Sequence, residues 1–504
     1  MSKFYAVKRG RETGIFTSWE FCKLQIDNFC GAVFKAFKTE EEAQAYLGSE
    51  DAGADTVIPD TMTPEQRLAM EAVLSGESIF LTGPGGTGKS FLLKTLYDEF
   101  ERVGKKMAVT AMTGCAALLL GSHAKTLHSW AGIGLGKGSI DEMIRSIVMN
   151  GRKKKNWNQA DCLVIDEVSM LTPQLLEVLD QIARVVRKRR DVPMGGLQVV
   201  IVGDFYQLPP VSSTQFAFQS GVWKGLVKGV HQLTVIHRQS DPIFQQVLNE
   251  ARIGELTPES IGILTERKTM SWKGQAIRPT LLFTRNADVA EINANHLAKL
   301  KSDELVFQAE TVIPTVPGGK PGTLEAFVGK AAAVSKISKE EEAMRVQKLD
   351  KDAPYEPRLV LKVGAQVMLL TNLDPALGLV NGSRGVVEGF EAGLPLVKFI
   401  STKTAIKIGF HCWDSEGDVP LQRKQIPLRL AYALTIHKAQ GASLDSALVD
   451  IGRNTFEYGQ AYVALSRVRS LEALYVYDID PVAFKVHPAV KEFYEALINT
   501  SCSE

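Results

Sequence analysis

The sequence predicts an α/β protein with parallel sheets, an inserted β-rich region and a small α+β N-terminal module. Three observations point there. Short apolar, β-rich runs bounded by glycine or acidic residues alternate with stretches long enough for crossover helices. The runs fall in two sets, one between residues 78 and 202 and one between 280 and 477. The first 47 residues form a compact, aromatic and basic stretch of their own.

Taken in order, residues 1–47 hold Phe4, Tyr5, Phe16, Trp19, Phe21, Phe29, Phe34, Phe37 and Tyr46. Through Lys38 they carry seven basic and three acidic residues, a net +4. Residues 48–62 invert this with four acids, no bases and no aromatics, the composition of a flexible linker. The first set of strands is expected at Ser78–Thr82, Met107–Ala111, Cys162–Ile165 and Val199–Val202. The second is expected at Thr280–Phe283, Ala447–Ile451 and Ala473–Tyr477. Between the sets come the Pro/Gly-rich TVIPTVPGGKPG, a charged helical stretch at Ser338–Lys351 and a β-like region from Arg358 to Phe410. Within the last, VNGSRGVVEGF sets turn signals between strand formers, as in a small β-barrel. The expected divisions are 1–47, a linker over 48–62, a first lobe over 63–229, a second over 230–300 and 426–504, and an insert over 301–425.

Composition excludes several classes. Hydrophobic residues at 45% and charged residues at 23% lie near the globular average, against disorder or a fibrous chain. A net charge of +1 argues against a polybasic protein but says nothing about local patches. No run approaches the roughly 18 apolar residues of a membrane span. The start lacks an apolar signal core, so an intracellular protein is expected. None of the six cysteines, Cys22, Cys30, Cys115, Cys162, Cys412 and Cys502, forms a CxxC pair, which fits a reducing compartment.

Gly83-Pro84-Gly85-Gly86-Thr87-Gly88-Lys89-Ser90 fits GxxxxGK[ST] and lies between the apolar SIFLT and the helical FLLKTLYDEF. Glycines let backbone N–H groups wrap phosphates, and the helix N-terminus adds the positive end of its dipole. Lys89 is expected on the β- and γ-phosphates and the Ser90 hydroxyl on Mg²⁺. CLVIDE ends a strand in two carboxylates: Asp166 to hold Mg²⁺ and Glu167 to polarise the attacking water. VVIVGD delivers Asp204 and, beyond it, Gln207, which senses the γ-phosphate or orients the water. Gln66, ahead of the P-loop strand, either reads adenine edges or is a solvated helix residue. No NKxD or TKxD pattern is present, so ATP is favoured over GTP. Arg238 and Arg467 are candidates for stabilising transition-state charge, with a structural ion pair as the alternative for each. The basic runs 152–155 and 187–190 are phosphate contacts, localisation signals or solvated helix faces. His123 and His128 have no companions of metal-ligand type, so no metal beyond Mg²⁺ is assigned.

These motifs together resemble the petite-integration-frequency (Pif) DNA helicases of superfamily 1B, relatives of phage Dda and bacterial RecD-type helicases. The resemblance runs through the P-loop, VTAMTGCAALLLGSHAKTLHSWAGIGLGKG, IDEVSM through GDFYQLPPV, HRQSDPIFQQVLNEARIGELT, VNGSRGVVEGF, LRLAYALTIHKAQGASLDSALVD and YVALSRVR. Met194 stands where the family usually has an aromatic residue. The resemblance implies two RecA-like P-loop lobes, an SH3-like β-barrel subdomain in the insert, and ATP between the lobes. Arg467 would complete the site on closure, Arg238 would stand near the lobe junction, and Gly441 would join the nucleotide set. For the nucleic acid it implies Thr113, Gly114, Thr126, His128, Ser129 and Trp130 from the first lobe, and His437, Lys438 and Gln440 from the second. Trp130 is either a stacking platform for a base or a core aromatic. By the same resemblance, movement is 5′ to 3′ on single-stranded DNA, duplex DNA is unwound, and the translocating species is a monomer.

The N-terminal FYAVKRGRETGIFTSWEFCKLQIDNFCGAVFKAFKTEEEAQAYL is similar to the hybrid-binding, viroplasmin-like domain of eukaryotic ribonuclease H. That implies RNA–DNA hybrid binding through Trp19, Phe34 and Lys35; a protein-interaction module is the alternative. Ala36 occupies a position often basic in that family. The leading expectation is an ATP-dependent DNA helicase of the nucleus, with the mitochondrion as the other site. A non-unwinding remodelling ATPase and an RNA helicase are the other readings.

Overall fold

The computed structural model describes residues 4–9, 11–26, 33–37, 39–48, 59, 61–121, 123–134, 139–210, 213–272, 275, 277–312, 339–353, 355–374, 377–414 and 421–501. The linker read over 48–62 and the Pro/Gly-rich 311–322 lie mostly outside these residues, as do Phe29, Cys30 and Cys502.

Six parallel strands build the first sheet, in the spatial order Lys125–Thr126, Met107–Ala111, Cys162–Asp166, Gln198–Val202, Ile79–Thr82, Gly229–Gln232. Alternate residues of its central strands feed two separate cores. Phe80, Leu163, Ile165, Val199 and Ile201 face one, and Ile79, Leu81, Cys162, Val164, Val200 and Val202 face the other. Burial on both faces explains why these strands read as unbroken apolar runs. The helix Lys89–Arg102 covers one face with Leu92, Leu93, Leu96 and Phe100. The helix Pro173–Val186 covers the other with Leu176, Leu179, Ile182 and Ala183, and Thr172 caps its N-terminus.

A second sheet of four parallel strands runs Ala433–Thr435, Thr280–Phe283, Ala447–Ile451, Leu474–Ile479. Its core takes in Phe244, Val247, Leu248 and Ala251 from the helix Pro242–Ile253. Beyond the last strand, the helix Pro488–Ser501 packs on the first sheet, where Val490 and Tyr494 join the core around Phe80.

The insert is β-rich. A five-stranded antiparallel sheet runs Ile406–Lys407, Leu394–Phe399, Arg384–Glu391, Gln366–Leu369, Leu428–Leu430. Shorter pairings join Glu304–Gln308 to Arg358–Lys362, and place Gln422–Gln425 between Glu310–Val312 and His411–Asp414. Arg384 is buried and ties this sheet to the second lobe, donating to Arg278 O, Thr280 Oγ1 and Ser446 Oγ. Near the N-terminus, Gly14–Phe16, Phe4–Arg9 and Val33–Phe37 form an antiparallel sheet with the helices Trp19–Ile26 and Glu40–Gly48.

Three expected boundaries move. Gly229–Gln232 pairs with Ile79–Thr82, so the first sheet runs past residue 229. Leu428–Leu430 pairs with Gln366–Leu369, so the insert runs past 425. The C-terminal helix, expected in the second lobe, buries its face in the first. Met194, the departure noted in the sequence, is fully buried with φ +51, and its N–H donates to Asp180 Oδ1.

Candidate nucleotide and nucleic-acid sites

The P-loop joins the buried strand Ile79–Thr82 to the helix Lys89–Arg102. Gly86 and Gly88 adopt φ +90 and +85, where a side chain is strained. A Cβ on Gly86 would also meet Arg238 Cβ at 2.6 Å. Within the loop, Thr87 Oγ1 donates to Pro84 O, and Lys89 Nζ donates to Gly83 O and Pro84 O at 2.7 and 2.8 Å. Burial pulls the Lys89 ammonium down to about 8, while the Asp204, Asp166 and Glu167 charges oppose the fall. Gln66 is buried, which removes the solvated reading. Its Nε2 donates to Thr87 O and its Oε1 accepts from Thr63 N–H, so its amide braces the loop from behind.

Asp166 ends its strand beside the loop. Burial, then the charge of Glu167, push its carboxyl well above the usual range. Glu167 N–H donates to Asp166 Oδ1 at 2.8 Å. Glu167 itself is held at φ +58, an uncommon backbone for this residue type and a form of strain that gathers at functional sites. Its Oε2 accepts from Gln440 Nε2 at 2.8 Å.

A cleft of about 560 Å³ gathers these groups. Its walls include Gly85, Gly86, Gly88, Lys89, Ser90, Asp166, Glu167 and Gln207 from the first lobe. Gly441 and Arg467 enter from the second lobe, and His237 and Arg238 from the segment between the two sheets. Arg467 is buried; it donates to Val463 O, Ala439 O, Ala442 O and Ser466 Oγ, and burial lowers its pKa to about 9. Arg238 Nη1 donates to Ser466 O, and its backbone N–H to Gly86 O. Charge on the second lobe thus stands beside phosphate-binding geometry on the first.

Residues 61–255 match the PIF1-like helicase family, 347–390 the DNA helicase Pif1 2B domain, and 3–47 the ribonuclease H1 N-terminal domain. A Pif1 from Bdellovibrio bacteriovorus is 34% identical over 451 residues, covering 88% of this chain and 94% of that protein. The chain belongs to the Pif1 helicase family. Human ATP-dependent DNA helicase PIF1 is 38% identical over 452 residues, and the chain spans 65% of its length. A crystal structure of Pif1 helicase from Candida albicans superposes with a TM-score of 0.69 at 33% identity, over 86% of this chain and 99% of that one. Bacteroides Pif1, solved with ADP-AlF3 and ssDNA, has a TM-score of 0.58 at 28% identity, over 87% and 97%. As in these Pif1 structures, the two parallel sheets are RecA-like lobes.

The residues expected to touch nucleic acid divide. Thr113 and Thr126 cap short helices, as does Thr435 ahead of His437, each accepting a backbone N–H three residues on. Gly114 opens the first of these helices, and His128 and Ser129 lie half-buried in the second. Lys438 is exposed, and His437 Nε2 lies 3.0 Å from Glu457 Oε2. Two expectations need correction. Trp130 is 6% exposed and packs against Trp157 with ring centroids 4.8 Å apart; the helix Gly151–Gln159 covers it, so it is core and offers no face to a base. Gln440 is buried, and its Nε2 donates to Glu167 Oε2 instead of facing solvent. In the basic run 187–190, Arg187 donates to Trp157 O, Ala160 O and Gly195 O and is a brace. On the N-terminal module, Tyr5, Trp19 and Phe34 form a chain of rings at 5.4 and 5.7 Å, with Trp19 and Phe34 exposed and Lys35 Nζ over Phe37.

Sequence reasoning missed a buried joint. Asp204 accepts two hydrogen bonds from Arg252, at 2.8 and 2.9 Å, and one from Tyr494 Oη. It also missed Tyr462, whose Oη accepts from Gly85 N–H at 2.9 Å. Tyr462 lies in the quoted YVALSRVR, five residues before Arg467, and that shared string was the available signal.

Proposed function

We propose that this chain is an ATP-dependent DNA helicase that translocates 5′ to 3′ on single-stranded DNA and unwinds duplexes. The carrying observation is the shared cleft, where P-loop, carboxylates and Gln207 of one lobe meet Arg467 of the other. Hydrolysis that requires both lobes converts each turnover into relative lobe movement, which is how a strand is stepped. Lys89 neutralises phosphate charge, Glu167 and Gln207 orient the water, and Arg238 and Arg467 stabilise the charge that develops. Gly83, Gly85, Gly86, Thr87, Gly88 and Gly441 shape the phosphate cradle. The Ser90 hydroxyl and Asp166 carboxylate both line the cleft and form a hard oxygen set that fits Mg²⁺. Mg²⁺ supplies Lewis-acid stabilisation of the phosphates.

Thr113, Gly114, Thr126, His128, Ser129, His437 and Lys438 form the strand track in this reading. The insert serves as the SH3-like subdomain, supported by its antiparallel sheet and shared core. Residues 1–47 act as an RNA–DNA hybrid tether, supported by exposed Trp19 and Phe34 beside Lys35. The working species is an intracellular monomer engaged in genome maintenance, in the nucleus. Among the described residues no helix is long and apolar enough to cross a membrane.

Strand displacement on matched 5′-tailed and 3′-tailed duplexes tests the reading. Unwinding should need ATP, Mg²⁺ and the 5′ tail, and Lys89→Ala should abolish it; efficient displacement from a 3′ tail alone overturns the polarity. Removing residues 1–48 should weaken hybrid binding more than single-strand binding; equal losses remove the tether.

A further inference from the structure

We propose that Tyr462 is a positioning residue of the nucleotide site: its hydroxyl competes with phosphate for a P-loop amide and links nucleotide occupancy to the placement of Arg467. The proposal rests on the nucleotide reading of the cleft.

Tyr462 is buried in the helix Gln460–Leu465 of the second lobe. Its Oη accepts from Gly85 N–H at 2.9 Å, a contact between residues 377 apart in sequence. The Gly85 Cα faces the same lobe. A Cβ there would stand 3.6 Å from Tyr462 Oη and 3.8 Å from both Ser466 Oγ and Arg467 Nη2. P-loops hold phosphate through backbone N–H groups. Each backbone N–H is a single donor, so phenol and phosphate cannot both take Gly85 at full strength.

The Tyr462 phenol does not move alone. Ser466 N–H donates to Tyr462 O, and Ser466 Oγ donates to Val463 O. Arg467 Nε donates to Val463 O at 2.7 Å and its Nη2 to Ser466 Oγ at 2.6 Å. Arg238, on the other wall of the cleft, donates to Ser466 O. Tyr462, Ser466 and Arg467 therefore form one hydrogen-bonded turn, anchored to the P-loop through the phenol. A phosphate that takes the Gly85 amide releases that anchor and frees the turn carrying Arg467.

The test is Tyr462→Phe in the full chain, titrated with a fluorescent ADP analogue and Mg²⁺. The variant keeps the ring and removes the competing hydroxyl. One net hydrogen bond corresponds to an affinity about twofold to tenfold tighter, and the KM for ATP should fall alongside. A structural role alone does not tighten binding. An unchanged or weaker affinity, in a variant that melts with the wild type, overturns the proposal. Hydrogen–deuterium exchange on the wild type gives a second readout should the variant fold poorly. ADP should speed exchange in the peptide spanning 460–467, and unchanged or slower exchange there also overturns it. A wild type that binds no ADP would sink the nucleotide reading itself; a wild type that binds, with no gain in the variant, sinks only the role of Tyr462.

Discussion

Removing Arg252 should strand a buried carboxylate and destabilise the joint between the lobes. Its side chain is 9% exposed and that of its partner Asp204 is 0%. Two hydrogen bonds hold the pair, and the guanidinium lies 4.5 Å from the Tyr206 ring centroid and 5.4 Å from that of Tyr494. Burial alone disfavours the Arg252 cation; the adjoining Asp204 carboxylate outweighs it and raises the guanidinium pKa. Asp204 follows the strand Gln198–Val202 of the first sheet, whereas Arg252 comes from a helix of the second core. Tyr494 adds the C-terminal helix, its Oη reaching Thr82 Oγ1 at 2.7 Å just before the P-loop. Breaking a buried pair from one side costs about 3–5 kcal/mol, because the remaining charge loses its partner. Arg252→Met should therefore lower stability by about 3–5 kcal/mol. Replacing both charges by apolar or neutral groups avoids the stranded ion, so Asp204→Asn with Arg252→Met should lose less than the two single losses combined. Urea unfolding followed by tryptophan fluorescence reads this, since Trp223 sits in the aromatic cluster of the first lobe. A single-variant loss below about 1 kcal/mol, or additive losses in the double variant, would refute the reasoning.

Three further outcomes follow from the geometry. Gln440→Ala removes a charged hydrogen bond to Glu167 and should lower strand-stimulated kcat by about tenfold to a hundredfold, with single-strand affinity unchanged in an anisotropy titration. Trp130→Phe should cost about 1–3 kcal/mol of stability in denaturant, yet leave single-strand affinity within about twofold; a tenfold drop would restore the base-platform reading. Gly86→Ala places a Cβ against Arg238 at a left-handed φ, a strain of about 1–3 kcal/mol that should weaken ADP binding by about tenfold in the same titration used for Tyr462→Phe.

What the sequence revealed was local. The P-loop is a glycine string with fixed spacing, and Asp166 and Glu167 follow an unbroken apolar strand, so each was legible within ten residues. The first sheet was legible because burial on both faces leaves continuous apolar runs. Pairings across the fold were not. Gln440 meets Glu167 across 273 residues and Arg252 meets Asp204 across 48, and neither leaves a periodic trace. Trp130 lay beside hydroxyls that suggested a binding surface, while its burial depends on a helix some twenty residues away in the chain. The short strands Gly229–Gln232 and Leu428–Leu430 carry too few residues to show a pattern, and both fell across expected boundaries.

The central claim is that one cleft, built by both lobes, hydrolyses ATP. Strand-stimulated ATP turnover by Arg467→Ala, beside nucleotide binding by the same variant, tests it most directly. A lost transition-state arginine predicts turnover down by about 10³-fold or more with ADP affinity retained, since the P-loop belongs to the other lobe. Turnover within a few-fold of wild type would contradict the shared site and leave Arg467 as a brace for its own lobe.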